Sequence, residues 1–408
     1  MPSQFNLEGY FKLDSDKLRA IILSTGMVSL PPVKGGAIEA YVTDLSKIFN
    51  GFANIHTTVI SNVRDSFAQQ NSRLEVIKTH SPIDDFPLSL LEGTVAHSLG
   101  GLLTFFASRQ KFLKRTDENL PEVYHLNEEV SLLFFSLTRR KFPIVYTIHN
   151  PPPCLGINNV NRVQKRIRKY NSEINLVALK NLHAHIISIN PQLRKWLLHY
   201  GYEESRIHDI PLPINTDVYS PMENFDHASS DFALFVGRLD GRKNPIDLLK
   251  ALKSTQKKRR LIMVGSGPMS EAVSRYIEKY NLKSQVSLYP RVTENELISL
   301  YQRARFLCFP SHLEAFPRVV AEAASCGTPV VHQRIPIFKQ YQDAGFGASY
   351  KPESIKDLAE TMDDLFEDNK KLQEMSVAAR DFALRTISYD VVGHKTVEAY
   401  WSAINDRQ

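Results

Sequence analysis

Two doubly wound α/β domains are predicted for this chain, and three observations lead there. Short apolar runs alternate with amphipathic segments along the 408 residues, the pattern of parallel sheets flanked by helices. Several runs end in a glycine turn that opens a helix, the place where such sheets bind ligands. A stretch at 211–221 with three prolines and no helical period separates about 210 residues from about 190, each the size of one such domain.

In the first half, strands are expected at 20–24, 56–60, 74–78, 123–125, 144–148, 184–188 and 206–210. In the second they are expected at 233–236, 260–264, 286–289, 306–309, 329–332 and 348–350. Helical periods lie between them, at 245–253, 269–280, 295–303 and 355–368, and an aromatic helix closes the chain at 389–404. The domains are thus 1–212 and 213–388, with a final helical segment at 389–408.

Composition narrows the class. The apolar and charged fractions, 43% and 23%, are those of a globular protein rather than a disordered one. Cys154, Cys308 and Cys326 form no Cys-x-x-Cys pair, so neither a disulfide framework nor a zinc site is indicated, as expected of thiols in a reducing cytoplasm. The N-terminus lacks the basic and apolar regions of a signal peptide, and no apolar run approaches the roughly 20 residues that cross a bilayer. The expected location is cytoplasmic, with peripheral contact at the inner face of the membrane as the furthest association.

The net charge of +6 is unevenly spread: between Val130 and Tyr202 the only acid is Glu173, against eleven Lys and Arg. That excess reads either as a solvated face or as attraction to anionic partners. Within 160–179, Val163, Ile167, Ile174 and Val177 are spaced as one apolar face among basic residues, which suits a helix against an anionic membrane surface. No part of the pattern points to nucleic acid.

The most informative stretch is 310–331. Pro317 suits a first helical position, Gly327 the position past the helix end, and Pro329 prevents continuation. Glu314 then precedes the helix and Glu322 lies in its second turn. Backbone N–H groups at a helix start favour an anion such as a diphosphate, and two carboxylates favour hydroxyls; hydroxyls beside a diphosphate describe a sugar nucleotide.

Other motifs are weaker singly. Gly237 permits a sharp exit from a strand, from which Arg238 and Lys243 project, either to neutralise a diphosphate or as plain surface cations. The turn at 263–268 lacks the third glycine of Gly-x-Gly-x-x-Gly, since Ser270 stands there, so no nicotinamide or flavin fingerprint is present. Gly35 and Gly36 let backbone approach a ligand or give a flexible helix entry. His149 lies just past a strand and either meets a substrate or caps the strand.

Taken in order, Phe235-Val-Gly-Arg238 with Lys243-Asn244, Val264-Gly-Ser-Gly-Pro268, and Pro310-Ser311 through Glu314, Phe316-Pro-Arg-Val319 and Glu322 to Gly327-Thr-Pro-Val-Val331 closely resemble glycosyltransferase family 4. The likeness is strong over roughly 205–368 and looser at Gly35, Gly36, His125 and His149. It implies the GT-B fold, two Rossmann-like domains facing across a cleft, with the last helix crossing back to the first domain. It implies a retaining enzyme that moves a hexosyl group from a nucleoside-diphosphate sugar, UDP- or GDP-linked, to an acceptor hydroxyl on a glycolipid, lipid-linked, other glycan or small-molecule acceptor.

By the same resemblance, Glu314 contacts hydroxyls of the donor sugar, Glu322 holds the ribose, and Arg238 and Lys243 bind the diphosphate in place of a metal, with no cofactor. His149 contacts the transferred sugar, Gly35 and Gly36 lie against donor phosphates or acceptor, and Gly237, Phe316, Arg318 and Val319 complete the donor site. Where a glycine is common, Pro317 removes one backbone donor, so the grip on phosphate should begin at the Arg318 and Val319 N–H groups. Leu288-Tyr-Pro-Arg291 departs from the pattern near the base site, and Asn150 and Asn215 replace acids common in the family. A sugar-nucleotide-binding protein without catalysis is the alternative. An epimerase or phosphorylase of the same fold is a further one, with no motif like a pyridoxal-binding lysine.

Overall fold

The computed structural model describes residues 17–24, 30, 37–61, 74–78, 120–128, 132, 135–136, 142–149, 173, 175–223 and 225–407. Gly35, Gly36, Asn150, Cys154 and most of 160–179 lie outside the described residues. The chain divides into two compact units, Met1–Pro213 with Val392–Gln408, and Ile214–Val391.

The first unit is built on β1 (Leu18–Leu23), β2 (Ile55–Ser61), β3 (Leu74–Lys78), β4 (Glu122–Leu126), β5 (Ile144–Thr147), β6 (His185–Ser188) and β7 (Ile207–Asp209). They pair in the order β3-β2-β1-β4-β5-β6-β7, every neighbour parallel. The central strands are largely enclosed because a parallel sheet is covered on both faces, and all four residues of β5 and of β6 are buried. The strand order reverses between β1 and β4, which opens a crevice at their carboxyl ends.

The second unit carries β8 (Phe232–Val236), β9 (Arg260–Val264), β10 (Val286–Tyr289), β11 (Phe306–Phe309), β12 (Val330–Gln333) and β13 (Gly347–Tyr350). Their order, β10-β9-β8-β11-β12-β13, again reverses at the centre, between β8 and β11. Side-chain alternation shows why the sheet is doubly wound. Ala233 and Phe235 of β8, with Phe306 and Cys308 of β11, pack with Leu248, Leu252, Met362 and Leu365 of the helices Pro245–Ser254 and Ile355–Glu367. Leu234, Val236, Leu307 and Phe309 belong to the opposite cluster, with Val320, Ala321 and Ala324 of the helix Arg318–Ser325. Cys308 is therefore a core residue, its thiol pushed up by burial.

The expected strands thus all form, with ends moved by one or two residues. The stretch at 211–221 is irregular, as its prolines require, and Ile214 bridges to Ser388 at the far end of the same unit. Asn215 closes a local turn there, its Oδ1 accepting from the N–H groups of Asp217 at 3.1 Å and Val218 at 3.2 Å. An asparagine serves that geometry as an aspartate would. The final helix runs Tyr389–Asn405. Its Tyr400 hydroxyl meets His125 Nδ1 at 2.7 Å, while His125 Nε2 meets Thr147 Oγ1 at 2.7 Å, so the helix is pinned to the middle of the first sheet.

His125, which is buried, and His149 and His208, which are half-buried, make the first unit sensitive to acid. Burial pushes His125 and His149 down to about 3, the neighbouring His149 adding to the effect on His125, and pushes His208 down to about 4. In the unfolded chain each titrates near about 6.5. Between those values the unfolded state binds more protons, so stability falls as pH drops, by roughly 1.4 kcal/mol per pH unit per histidine. The urea midpoint of the first unit should therefore decline steadily from about pH 6 to about pH 4. A flat midpoint over that window would contradict neutral rings at these positions.

Candidate functional site

In the second unit the crevice is built by the loops after β8 and β11. Asp240 organises the first loop: its Oδ1 accepts from the N–H groups of Arg242 at 3.0 Å and Lys243 at 3.3 Å, and its Oδ2 from the Arg242 guanidinium at 2.9 Å. Asn244 takes a left-handed conformation with φ 48°, which asparagine tolerates, and Pro245 starts the following helix. The Asn244 side-chain amide donates to Pro310 O at 3.2 Å, as does Gln333 at 3.2 Å, which ties the second loop to the first.

Lys243 and Glu314 meet where these loops join. Lys243 Nζ donates to Glu314 Oε1 and stands 4.8 Å from the centroid of the Phe309 ring. Ser311 Oγ donates to the same Glu314 oxygen at 2.6 Å. Both contacts fall on Oε1, so Oε2 has no partner among the described residues. The pair is mostly buried, at 18% and 12% side-chain exposure, which strengthens it relative to a surface pair. Arg238, by contrast, is 65% exposed and lies 3.8 Å from Asp240. Gly237, Arg238, Lys243 and Glu314 are thus brought together at the switch point of this sheet.

The turn at 263–268 has a structural role. Gly265, with φ +150°, lies so close to the β8 loop that an added Cβ would stand 1.9 Å from Gly237 O, and one on Gly267 would stand 2.5 Å from Leu239 O. Hydrogen bonds from Gly237 N to Val264 O (3.0 Å), Leu239 N to Ser266 O (3.1 Å) and Met269 N to Leu239 O (2.9 Å) stitch the loops together. The glycines let one backbone lie on another.

The helix after Glu314 begins one residue later than its proline suggests. Pro317 is the cap, its carbonyl accepting from Val320 N–H at 2.9 Å, and the helix runs Arg318–Ser325. The Arg318 N–H is engaged by Phe316 O at 3.0 Å, so in this structure it is not a donor held ready for phosphate. The Val319 N–H has no acceptor among the described residues. Phe316 packs against the apolar cluster beneath. Gly327, with φ +78°, ends the helix: its N–H bonds Ala324 O and that of Thr328 bonds Ala323 O, both at 2.9 Å.

Glu322 projects from the second turn, as expected, and is nearly enclosed at 7% exposure. Its Oε1 accepts from Arg318 Nε at 3.0 Å and its Oε2 from the Tyr301 hydroxyl at 3.1 Å. Burial raises its pKa above the ordinary carboxylate range, while the Arg318 charge and these hydrogen bonds pull it back. The Arg318 side chain thus supports a carboxylate that would otherwise resist ionisation.

His149 belongs to the first unit, past the end of β5. Its Nε2 lies 3.0 Å from Asn127 Oδ1, and the Tyr41 ring meets it edge-on with centroids 5.0 Å apart. The partners Asn127, Tyr301, Ser311 and Asp240 were not singled out by sequence. Asp240 carried a signal, an Asp-Gly pair after a strand, and Ser311 stands within the 310–331 motif three residues before Glu314; Asn127 and Tyr301 reach their partners across gaps of 22 and 21 residues that no motif marks. Among the described residues no group of three His, Cys, Asp or Glu is arranged to hold a metal, and no helix is long and apolar enough to cross a membrane.

Comparison with known proteins agrees with the fold and the loop pattern. A family model for glycosyl transferases group 1 matches residues 223–382, and one for glycosyltransferase family 4 matches residues 48–218. The D-inositol 3-phosphate glycosyltransferase of Xylanimonas cellulosilytica is 25% identical over 323 residues, which cover 72% of this chain and 75% of that protein. Sucrose-phosphate synthase from Thermosynechococcus elongatus superposes with a TM-score of 0.74 at 18% identity, over 94% of this chain and 98% of its own. Anabaena HepE, in complex with UDP-glucose, gives a TM-score of 0.67 at 17% identity, over 94% and 100%. Two parallel-sheet α/β units, a matching model on each, and relatives that transfer sugars lead to one assignment: the chain is a glycosyltransferase of the GT-B fold and belongs to glycosyltransferase family 4.

Proposed function

We propose that this glycosyltransferase moves a hexosyl group from a nucleoside-diphosphate sugar to an acceptor hydroxyl, with retention at the anomeric carbon. The observation that carries the reading is the Lys243–Glu314 pair at the switch point of the second sheet, followed by Glu322 on the next helix. The binding of UDP-glucose by HepE, a protein of the same fold, supports it. Glu314 Oε2 receives a sugar hydroxyl, and Glu322 the ribose.

Lys243 and Arg238 face the developing charge on the leaving diphosphate, the largest electrostatic demand of the reaction. The bond from the anomeric carbon to the diphosphate oxygen breaks, the acceptor oxygen bonds that carbon on the same face, and the departing phosphate oxygen takes the acceptor's proton. Glu314 positions the donor and does not attack it. The two cations supply the charge that a divalent ion would, so turnover should survive a chelator.

Incubation with UDP-, GDP- and ADP-sugars, read as slow donor hydrolysis, tests the reading and identifies the base. Hydrolysis of none, with no binding by calorimetry, would refute it. For the acceptor, an anionic or lipid-linked molecule fits the basic stretch before Tyr202, and the phosphorylated acceptor named for the inositol-phosphate relative is of that kind. Val177, the described member of the apolar face, is exposed. Sedimentation with anionic liposomes tests a peripheral site at the inner membrane face; equal binding to neutral ones would count against it.

Arg318→Leu offers a test of the ribose site. Without the guanidinium, the buried Glu322 stays protonated to higher pH, and a neutral acid is a poorer acceptor for two hydroxyls. Donor KM should rise about tenfold near neutrality. Because binding needs the carboxylate, affinity in the variant should be lost at a higher pH, as pH falls, than in the wild type. An unchanged pH profile would remove Arg318 from the site.

A further inference from the structure

The hydrogen bonds around His149 have directions that chemistry alone decides. Asn127 Nδ2 lies 3.1 Å from Leu23 O, a carbonyl that can only accept, so the amide nitrogen must point there. The other end of the same amide, Oδ1, can also only accept, and it meets His149 Nε2 at 3.0 Å. His149 Nε2 therefore carries the hydrogen. Burial keeps the ring uncharged at neutral pH, so Nδ1 bears a bare lone pair, and no described residue partners it. The Tyr41 ring packed edge-on at 5.0 Å, itself held through its hydroxyl to Thr147 Oγ1 at 3.3 Å, restrains the imidazole from turning over.

From this geometry we propose that Asn127 is a positioning residue that fixes His149 in the Nε2–H tautomer, so that Nδ1 accepts a hydrogen bond from a hydroxyl of the transferred sugar. The inference rests on the reading above, that His149 contacts that sugar. It excludes two other roles. A neutral ring with a bare Nδ1 cannot donate to a phosphate oxyanion, and it cannot supply a proton to the leaving group. Leu23 ends β1, and Asn127 and His149 follow β4 and β5, so the constraint is built from the ends of the three central strands of the first sheet.

The first test is histidine nitrogen NMR on the full-length protein, which needs no substrate. The wild type should show Nε2 bonded to hydrogen and Nδ1 as a bare pyridine-type nitrogen, whereas Asn127→Leu should show a mixture of tautomers. A hydrogen on Nδ1 in the wild type would overturn the proposal.

The second test is kinetic. Asn127→Leu should lower kcat/KM about tenfold, the scale of one hydrogen bond. Should that variant fail to fold, Asn127→Asp serves instead. It keeps an acceptor opposite Nε2 but raises the ring's pKa, and a protonated ring cannot accept at Nδ1. The variant's rate should therefore fall on the acid side at a higher pH than the wild type's, a shift that a merely structural role would not produce. With a panel of mono-deoxy donors, His149→Ala should lose discrimination at one hydroxyl only. If it discriminates at every position as the wild type does, the hydroxyl assignment is wrong. A wild type that turns over no nucleotide sugar would instead refute the proposed function, while the NMR result would still stand.

Discussion

Lys243→Ala is expected to reduce kcat/KM for sugar transfer by about 100- to 1,000-fold, the usual consequence of removing one preorganised charge from a developing anion. The loss should fall mainly on kcat, because the diphosphate gains most of its charge as the glycosidic bond breaks. The substitution has a second effect. Glu314 is left mostly buried with only Ser311 on Oε1, so the second unit should also lose about 1–3 kcal/mol of stability.

Glu314→Gln separates the two effects. It keeps the shape and one acceptor oxygen for Ser311 and Lys243, so the fold should survive while the sugar loses a charged acceptor. A fall of about 10- to 100-fold fits a positioning carboxylate, whereas complete loss would indicate a nucleophile and contradict the proposed mechanism. Steady-state kinetics with thermal unfolding on the same samples reads both quantities. Wild-type kcat/KM in Lys243→Ala would remove this residue from the site.

The largest structural effect should come from a single methyl group. In Gly265→Ala the new Cβ would stand 1.9 Å from Gly237 O, a backbone atom that cannot rotate away, and the backbone conformation is itself strained for alanine. The β8 and β9 loops would have to part, breaking the bonds from Gly237 and Leu239 that aim Arg238 and Lys243. A destabilisation of about 3–5 kcal/mol, or failure of the second unit to fold, is expected. Gly241→Ala is the control: nothing lies within 4 Å of its Cβ, and its effect should stay within about 0.5 kcal/mol. Denaturant unfolding followed by circular dichroism compares the two, and equal stability would mean that the loops do not pack as described.

Much of this was legible in the chain because parallel strands buried on both faces are written as unbroken apolar runs. Leu234 to Val236 and Leu307 to Phe309 could hardly be read otherwise. Helix ends were legible where one residue type answers one backbone demand, as Gly327 does. Pro317 was less decisive: proline's fixed φ suits a cap as well as a first helical position, and only the bond from Val320 N–H to its carbonyl separates them. The candidate site residues Arg238, Lys243, Glu314 and Glu322 were singled out because the motifs that hold them, taken in order, resemble those of glycosyltransferase family 4.

The sequence by itself determined the two α/β units, the strands and their boundaries to within a residue or two, and which loops carry charge. Those properties depend on local propensity and on the period of apolar residues, which neighbours along the chain express. The tertiary structure alone decided that Glu314 is held by Lys243, that Glu322 meets Tyr301, that Gly265 underlies the β8 loop, and that Asn127 meets His149. Each of these depends on which atoms meet once strands have been placed side by side. Hydrogen-bond direction and close approach are properties of that meeting, and no spacing along the chain encodes them.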